Sequence, residues 1–187
     1  GLLNDRPLIT YRKGKSRRDR LMPNMVSESP KRSFNRMGFF PCKSCKACKN
    51  SDKVKEYQVR YSTEPRKIKQ LLNCNSDYVV YVLQCPCGKR YVGSTIHPVK
   101  KRILEHMRAI DHNDPKYPVA QHFYTEHSQD RKYLSFFAIE RIPISARGEN
   151  HVLTLRRRES KCILDLETKQ PGGLNTEEEL KIHLGED

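Results

Sequence analysis

The sequence predicts an α+β fold: a small, mostly antiparallel three-stranded sheet flanked by helices, behind a basic, largely extended N-terminal segment. Three observations carry this. Tyr78 to Gln84 alternates β-branched and aromatic residues, turns at Cys85-Pro-Cys-Gly88 and returns as Lys89 to Gly93, a hairpin signature. Lys132 to Ile142 (KYLSFFAIERI) is apolar on both faces through Leu134, Phe136, Phe137, Ala138 and Ile139, which suits a third strand. Helical periodicity runs through Val99, Ile103, Met107 and Ile110 after Pro98, and through Val152, Leu155, Cys162, Ile163 and Leu166 within His151 to Thr168.

A chain of 187 residues has room for one domain of about 100 to 150 residues plus a tail. With 36% hydrophobic and 31% charged residues and no tryptophan, its core is modest. The net charge of +14 is uneven: residues 1–70 carry 19 Lys and Arg against 6 Asp and Glu, residues 71–187 carry 17 against 16. The basic front attracts phosphate backbones through counterion release; a solvated, flexible tail is the alternative. No apolar run approaches the roughly 18 residues of a membrane span, and no signal-peptide pattern opens the chain, so an intracellular protein is expected. Gly1 in place of methionine suggests a piece of something longer.

Taken in order, residues 1–37 read as a basic linker, rich in Arg, Lys, Ser, Asn and Pro. Residues 38–74 read as a Cys-rich, zinc-binding linker. Cys42, Cys45 and Cys48 form two successive Cys-x-x-Cys steps with lysines between them, and Cys74 is the nearest remaining cysteine to complete a zinc chelate. Lysine favours the thiolate a metal needs. Free thiols are the alternative; the odd count of seven cysteines disfavours a disulfide framework. Val54, Tyr57, Val59 and Tyr61, then Ile68, Leu71 and Leu72, predict a short strand followed by a turn of helix.

Residues 75–187 hold the predicted domain. Cys85 and Cys87 flank one proline, and His122 and His127 are spaced to converge from a helix or its end, so a zinc site of two cysteines and two histidines is open. By spacing alone, incidental structural residues are the alternative, and His97 and His112 are rival ligands. Arg102 and His106, four apart, share one flank of the first helix. Glu159 falls inside the apolar stripe of the last long helix, where a carboxylate is costly unless paired or holding a cation. A salt bridge to Arg156, Arg157 or Arg158 is the other reading. Pro171-Gly-Gly173 is expected to end that helix, Asn175 to follow as a turn or site residue, and Thr176 to Glu179 to open a last short helix.

With these residues in place the stretch resembles a GIY-YIG nuclease. Val79-Val80-Tyr81 matches the first triplet without its glycine, and Tyr91-Val92-Gly93 matches the second. Arg102 and His106 match the arginine and histidine of the following helix, Glu159 the metal-binding glutamate and Asn175 the late asparagine. The Cys-Pro-Cys turn, Pro118-Val-Ala-Gln-His-Phe123 with His127, the arginine-rich approach to Glu159 and Gly172-Gly-Leu-Asn175 narrow the resemblance to the endonuclease of Penelope-like retroelements, over roughly Cys74 to Asn175. Pro7 to Lys13 and Arg18 to Leu21 are similar to the connector after the reverse transcriptase of such elements.

The resemblance implies a metal-dependent DNA endonuclease that nicks target DNA for reverse transcription. It implies Mg²⁺ or Mn²⁺ on Glu159, zinc on Cys85, Cys87, His122 and His127, and an upstream reverse transcriptase. DNA and element RNA are the implied partners, in the nucleus. In that scheme Tyr81 is general base or orients water, its phenol depressed by the cation and arginine. Tyr91 positions the phosphate, Arg102 neutralises its charge, His106 moves a proton and Asn175 orders the backbone. A non-catalytic zinc-dependent nucleic-acid-binding module and a repair or homing nuclease are the alternatives. No phosphate-loop or dinucleotide-binding glycine motif is present, so no nucleotide cofactor is expected.

Overall fold

The computed structural model describes residues 37–59, 62–144, 150–177 and 179. The expected basic segment therefore falls, but for Met37, outside the described residues. Everything described belongs to one compact unit.

The Cys-rich front is short strands and one tight turn. β1 (Gly38–Phe40) is followed by a 3-10 turn at Lys46–Asn50, then β2 (Glu56–Tyr57), β3 (Arg66–Lys67) and β4 (Leu71–Asn73). β1 pairs in parallel with β4, and β2 antiparallel with β3. Strands take the place of the turn of helix expected around Ile68 to Leu72: Ile68 and Leu72 are buried, and Leu72 lies opposite Phe39 across the β1 to β4 ladder.

The main sheet follows as predicted. β5 (Val79–Gln84) and β6 (Arg90–Thr95) form the hairpin, and β7 (Ser135–Arg141) pairs antiparallel on the other side of β5. The order β6-β5-β7 makes β5 central, and all its residues but Gln84 are buried. The Cys-rich segment packs on this sheet. Phe39 stacks edge-on against Phe136 at 5.7 Å, and Asp52 N donates to Phe136 O at 3.2 Å. The stretch 38–74, read from sequence as a linker, thus shares the core of the domain.

Among the described residues three helices complete the unit: α1 (Val99–His112), α2 (Pro118–Glu126) and α3 (His151–Leu166). No described side chain caps α1. Its first N–H groups are instead satisfied by chain carbonyls, Val99 N to Ser76 O at 2.9 Å and Lys100 N to Cys74 O at 3.0 Å, which fastens the helix to the Cys-rich segment. Asn150 caps α3 through Leu153 N at 3.1 Å. α3 ends at Leu166 with Glu167 in the left-handed region at φ 47°, ahead of the Pro171-Gly-Gly stop read from sequence, because Thr168 N already returns to Ile163 O at 3.1 Å. Among the described residues no helix is long and apolar enough to cross a membrane.

Candidate active site and metal clusters

Strand register places the first group. Tyr81 lies opposite Gly93 and Leu83 opposite Tyr91, so Tyr81, Gly93 and Tyr91 share one face of the hairpin. Gly93 makes room for a phenol: a Cβ there would meet Tyr81 Oη at 2.5 Å and Tyr91 Cε1 at 3.0 Å. α1 crosses this face. Tyr81 Oη is 2.9 Å from His106 Nε2, and Arg102 Nε donates to Tyr81 Oη at 3.4 Å. The sequence expected His106 on a flank beside Arg102; it is buried instead, its ring edge-on to Tyr81, Tyr91 and Tyr117 at 5.9, 5.5 and 5.6 Å. Tyr117, at the start of α2, also carries the Arg102 guanidinium 5.6 Å over its ring.

Protonation follows from burial. Desolvation and the Arg102 charge lower His106 to about 3, so the imidazole is neutral at physiological pH. Its Nδ1 is buried without a hydrogen-bond partner among the described residues. Tyr81 departs from the expectation. Arg102 pulls its phenol down, but burial outweighs that pull and the net shift is upward, so the group is a hydroxyl and not a phenolate. Tyr91 is pushed up as well, by burial first.

The second group gathers along β6, the edge strand. Glu159 is buried on α3 and accepts from Ser94 Oγ at 2.6 Å. Burial raises its carboxyl to about 7, while Ser94 pulls the other way. Arg158, one of the neighbours considered as its partner, is engaged with Glu140 at 2.6 Å. Ser94 and Arg102 line one cleft of about 380 Å³ between α1, α3 and the end of β6.

Asn175 is buried and does what a neighbouring strand would do. Val92 N donates to its Oδ1 at 2.8 Å, and its Nδ2 donates to Val92 O at 2.8 Å. Thr176 and Glu179 form a capping box, Thr176 N to Glu179 Oε2 at 3.0 Å and Glu179 N to Thr176 Oγ1 at 3.4 Å. The same Glu179 carboxylate accepts from Tyr91 Oη at 2.9 Å.

Two clusters among the described residues have metal-ligand geometry. Cys42, Cys45, Cys48 and Cys74 form one, with Cys48 Sγ 3.4, 3.4 and 3.5 Å from the other three sulfurs. These are close to the roughly 3.8 Å between sulfurs on one tetrahedral zinc. Cys85, Cys87, His122 and His127 form the other: Cys85 Sγ is 3.2 Å from His122 Nε2 and 2.7 Å from His127 Nε2, and Cys87 Sγ is 3.0 Å from Cys85 Sγ and 3.2 Å from His122 Nε2. Both sets are compatible with structural zinc. His97 and His112, the rival ligands, belong to neither cluster. Burial pushes the Cys85 thiol up to about 12 and Cys74 higher, a cost that coordination by a cation removes. Burial lowers His122, which favours the neutral, ligating imidazole.

Comparison of the chain with protein-family models, curated proteins and solved structures finds no match. The structure brings Tyr81, Arg102 and His106 into contact, places Tyr91 against the same imidazole, and ties Asn175 to β6 and Glu159 to Ser94. Sequence reasoning missed Ser94, Tyr117 and the outward role of Glu179. Glu179 had a signal, Thr-x-x-Glu; Ser94 and Tyr117 had none.

Proposed function

We propose that this chain is a metal-dependent DNA endonuclease of the GIY-YIG type, acting as the target-site nuclease of a Penelope-like retroelement. The observation that carries the reading is the contact of Tyr81 Oη with both His106 Nε2 and Arg102 Nε, at 2.9 and 3.4 Å. A phenol, a neutral imidazole and a guanidinium meeting at one oxygen is an arrangement for moving a proton beside an anion.

Glu159 fits a hard cation: burial raises its carboxyl to about 7, a cost that a bound cation offsets, and oxygen is the donor Mg²⁺ or Mn²⁺ takes. Bound there, the cation would supply charge to the phosphoryl oxygens. Ser94 fixes the carboxylate that holds it. Arg102, on the wall of the cleft, is placed to donate to a phosphate. His106, neutral and with Nε2 facing Tyr81 at 2.9 Å, holds the phenol oxygen by a hydrogen bond while that oxygen orients water. Asn175 and Glu179 hold β6 and Tyr91 in place. The zinc clusters would fasten the hairpin turn to α2 and the segment after β1 to the end of β4. Such an enzyme works on chromosomal DNA in the nucleus, joined in the full-length element to a reverse transcriptase that extends the nick and with element RNA as template.

A second reading, a zinc-dependent nucleic-acid-binding module that does not cut, draws on the full burial of Tyr81. Supercoiled-plasmid nicking with and without Mg²⁺, using wild type and Glu159→Ala of equal zinc content, separates the two. Nicking that needs both the cation and Glu159, with a loss on the order of 10²-fold or more in the variant, supports the nuclease. Folded, zinc-loaded protein that binds the plasmid without nicking it supports the second reading.

A further inference from the structure

A second cleft, of about 500 Å³, lies on the other side of α1 from Arg102. Its walls are Lys46 and Lys49 from the 3-10 turn inside the four-cysteine cluster, and Arg131 and Lys132 from a second 3-10 turn at Arg131–Tyr133. Leu104 and Met107 of α1 form its floor, and no acidic side chain lines it among the described residues. The walls are fixed to each other: Asn50 Nδ2 donates to Arg131 O at 2.9 Å and to Leu134 O at 2.8 Å. The lysine-bearing turn is further held by the Cys48 contacts with Cys45 and Cys74. Arg131 is paired with Asp111. Lys132, 4.0 Å from Asp130 and 87% exposed, keeps most of its charge toward solvent.

Three ammonium groups over an apolar floor focus positive potential on a groove set in rigid walls. α1 separates this groove from the cleft that Arg102 lines, so one helix borders both. From this placement we propose that the groove formed by Lys46, Lys49 and Lys132 is a docking surface for the phosphodiester backbone of the DNA duplex on which the cleft lined by Ser94 and Arg102 acts. It rests on the nuclease reading for what the cleft does, and on its own charge and geometry for what it binds. Lysines reading phosphates carry no base information, so the groove contributes affinity and register without sequence preference.

The test is salt-dependent binding of a fluorescent duplex of about 20 base pairs, long enough to span both clefts. It uses the full chain as Glu159→Ala, so that the probe stays whole. Lys46→Ala/Lys49→Ala/Lys132→Ala is compared with Lys67→Ala/Lys69→Ala/Lys161→Ala, which removes equal charge from exposed positions elsewhere. All forms are matched for zinc content and melting temperature. The slope of log K against log salt is expected to flatten by about 2 to 3 in the groove variant, with affinity about tenfold weaker at fixed salt, and to hold in the control. Equal slopes in the groove variant and its parent, or equal flattening in the control, overturn the proposal. A parallel RNA duplex distinguishes the source of the phosphates: loss confined to RNA overturns the assignment to DNA. Absence of Mg²⁺-dependent nicking by the wild-type chain would remove the nuclease reading, and cleavage by the Glu159→Ala parent would remove the role of Glu159, while slopes measured without divalent cations still judge the groove.

Discussion

Glu159 and His106 are both buried, and burial moves their protons in opposite directions. Glu159 rises from 4.5 to about 7, so the folded protein keeps a proton that the unfolded chain gives up. Its contribution is full below pH 4.5 and is lost as pH rises through 7. His106 falls from 6.5 to about 3, so its contribution is full above pH 6.5 and is lost as pH falls toward 3. In the absence of divalent cations, Glu159→Gln is therefore expected to gain melting temperature over wild type as pH rises from about 5 to about 8. The gain corresponds to about 2–3 kcal/mol, or roughly 5–10 °C. A gap that stays constant across that range in thermal unfolding contradicts the assignment. Gly93 makes a sharper steric case. Gly93→Ala forces a methyl to within 2.5 Å of Tyr81 Oη, and is expected to cost about 1–3 kcal/mol and to displace the phenol from His106. Unchanged stability together with an unchanged His106 imidazole resonance in NMR would falsify that contact.

The strands and helices show which local signals survive folding. The hairpin, β7, α1 and α3 were legible because each holds six or more residues of one periodicity, and because turn residues bound them. β2 falls within the short strand read over Val54 to Tyr61, but β1, β3 and β4 were not legible, since none exceeds three residues and the β1 to β4 pair joins stretches more than thirty positions apart. Ile68 and Leu72 look the same in a turn of helix as in short strands when the partner lies so far away. β6 raises a different matter, being an edge strand whose outward N–H and C=O groups need partners. Asn175 supplies them at Val92, so Asn175→Ala leaves two buried backbone groups unpaired and is expected to cost about 1–3 kcal/mol. Faster amide exchange at Val92 than in wild type, with β5 amides protected as before, is the corresponding measurement.

Across the whole molecule the two Cys and His clusters stand at the joints. One ties the hairpin turn to α2, and the other lies where β1, β4 and the start of α1 meet. Two zinc ions per chain are expected by elemental analysis. Cys45→Ala should leave one, and chelation of both should lower the melting temperature by about ten degrees or more, on the order of a few kcal/mol. One zinc in wild type would show that one of the clusters packs without a metal. The cysteine and histidine spacings were readable in the chain because ligands that converge from one turn must be close in sequence. The periodic elements were readable because a strand or helix repeats its pattern every two or every three to four residues. No such signature marks the pairing of Ser94 with Glu159, 65 positions apart, or of Tyr91 with Glu179, 88 apart. Nor does one mark the burial of His106 among three tyrosines. Those depend on the Tyr81 to Gly93 register and on how α1 and α3 lie against the hairpin, which long-range packing sets and local sequence does not encode.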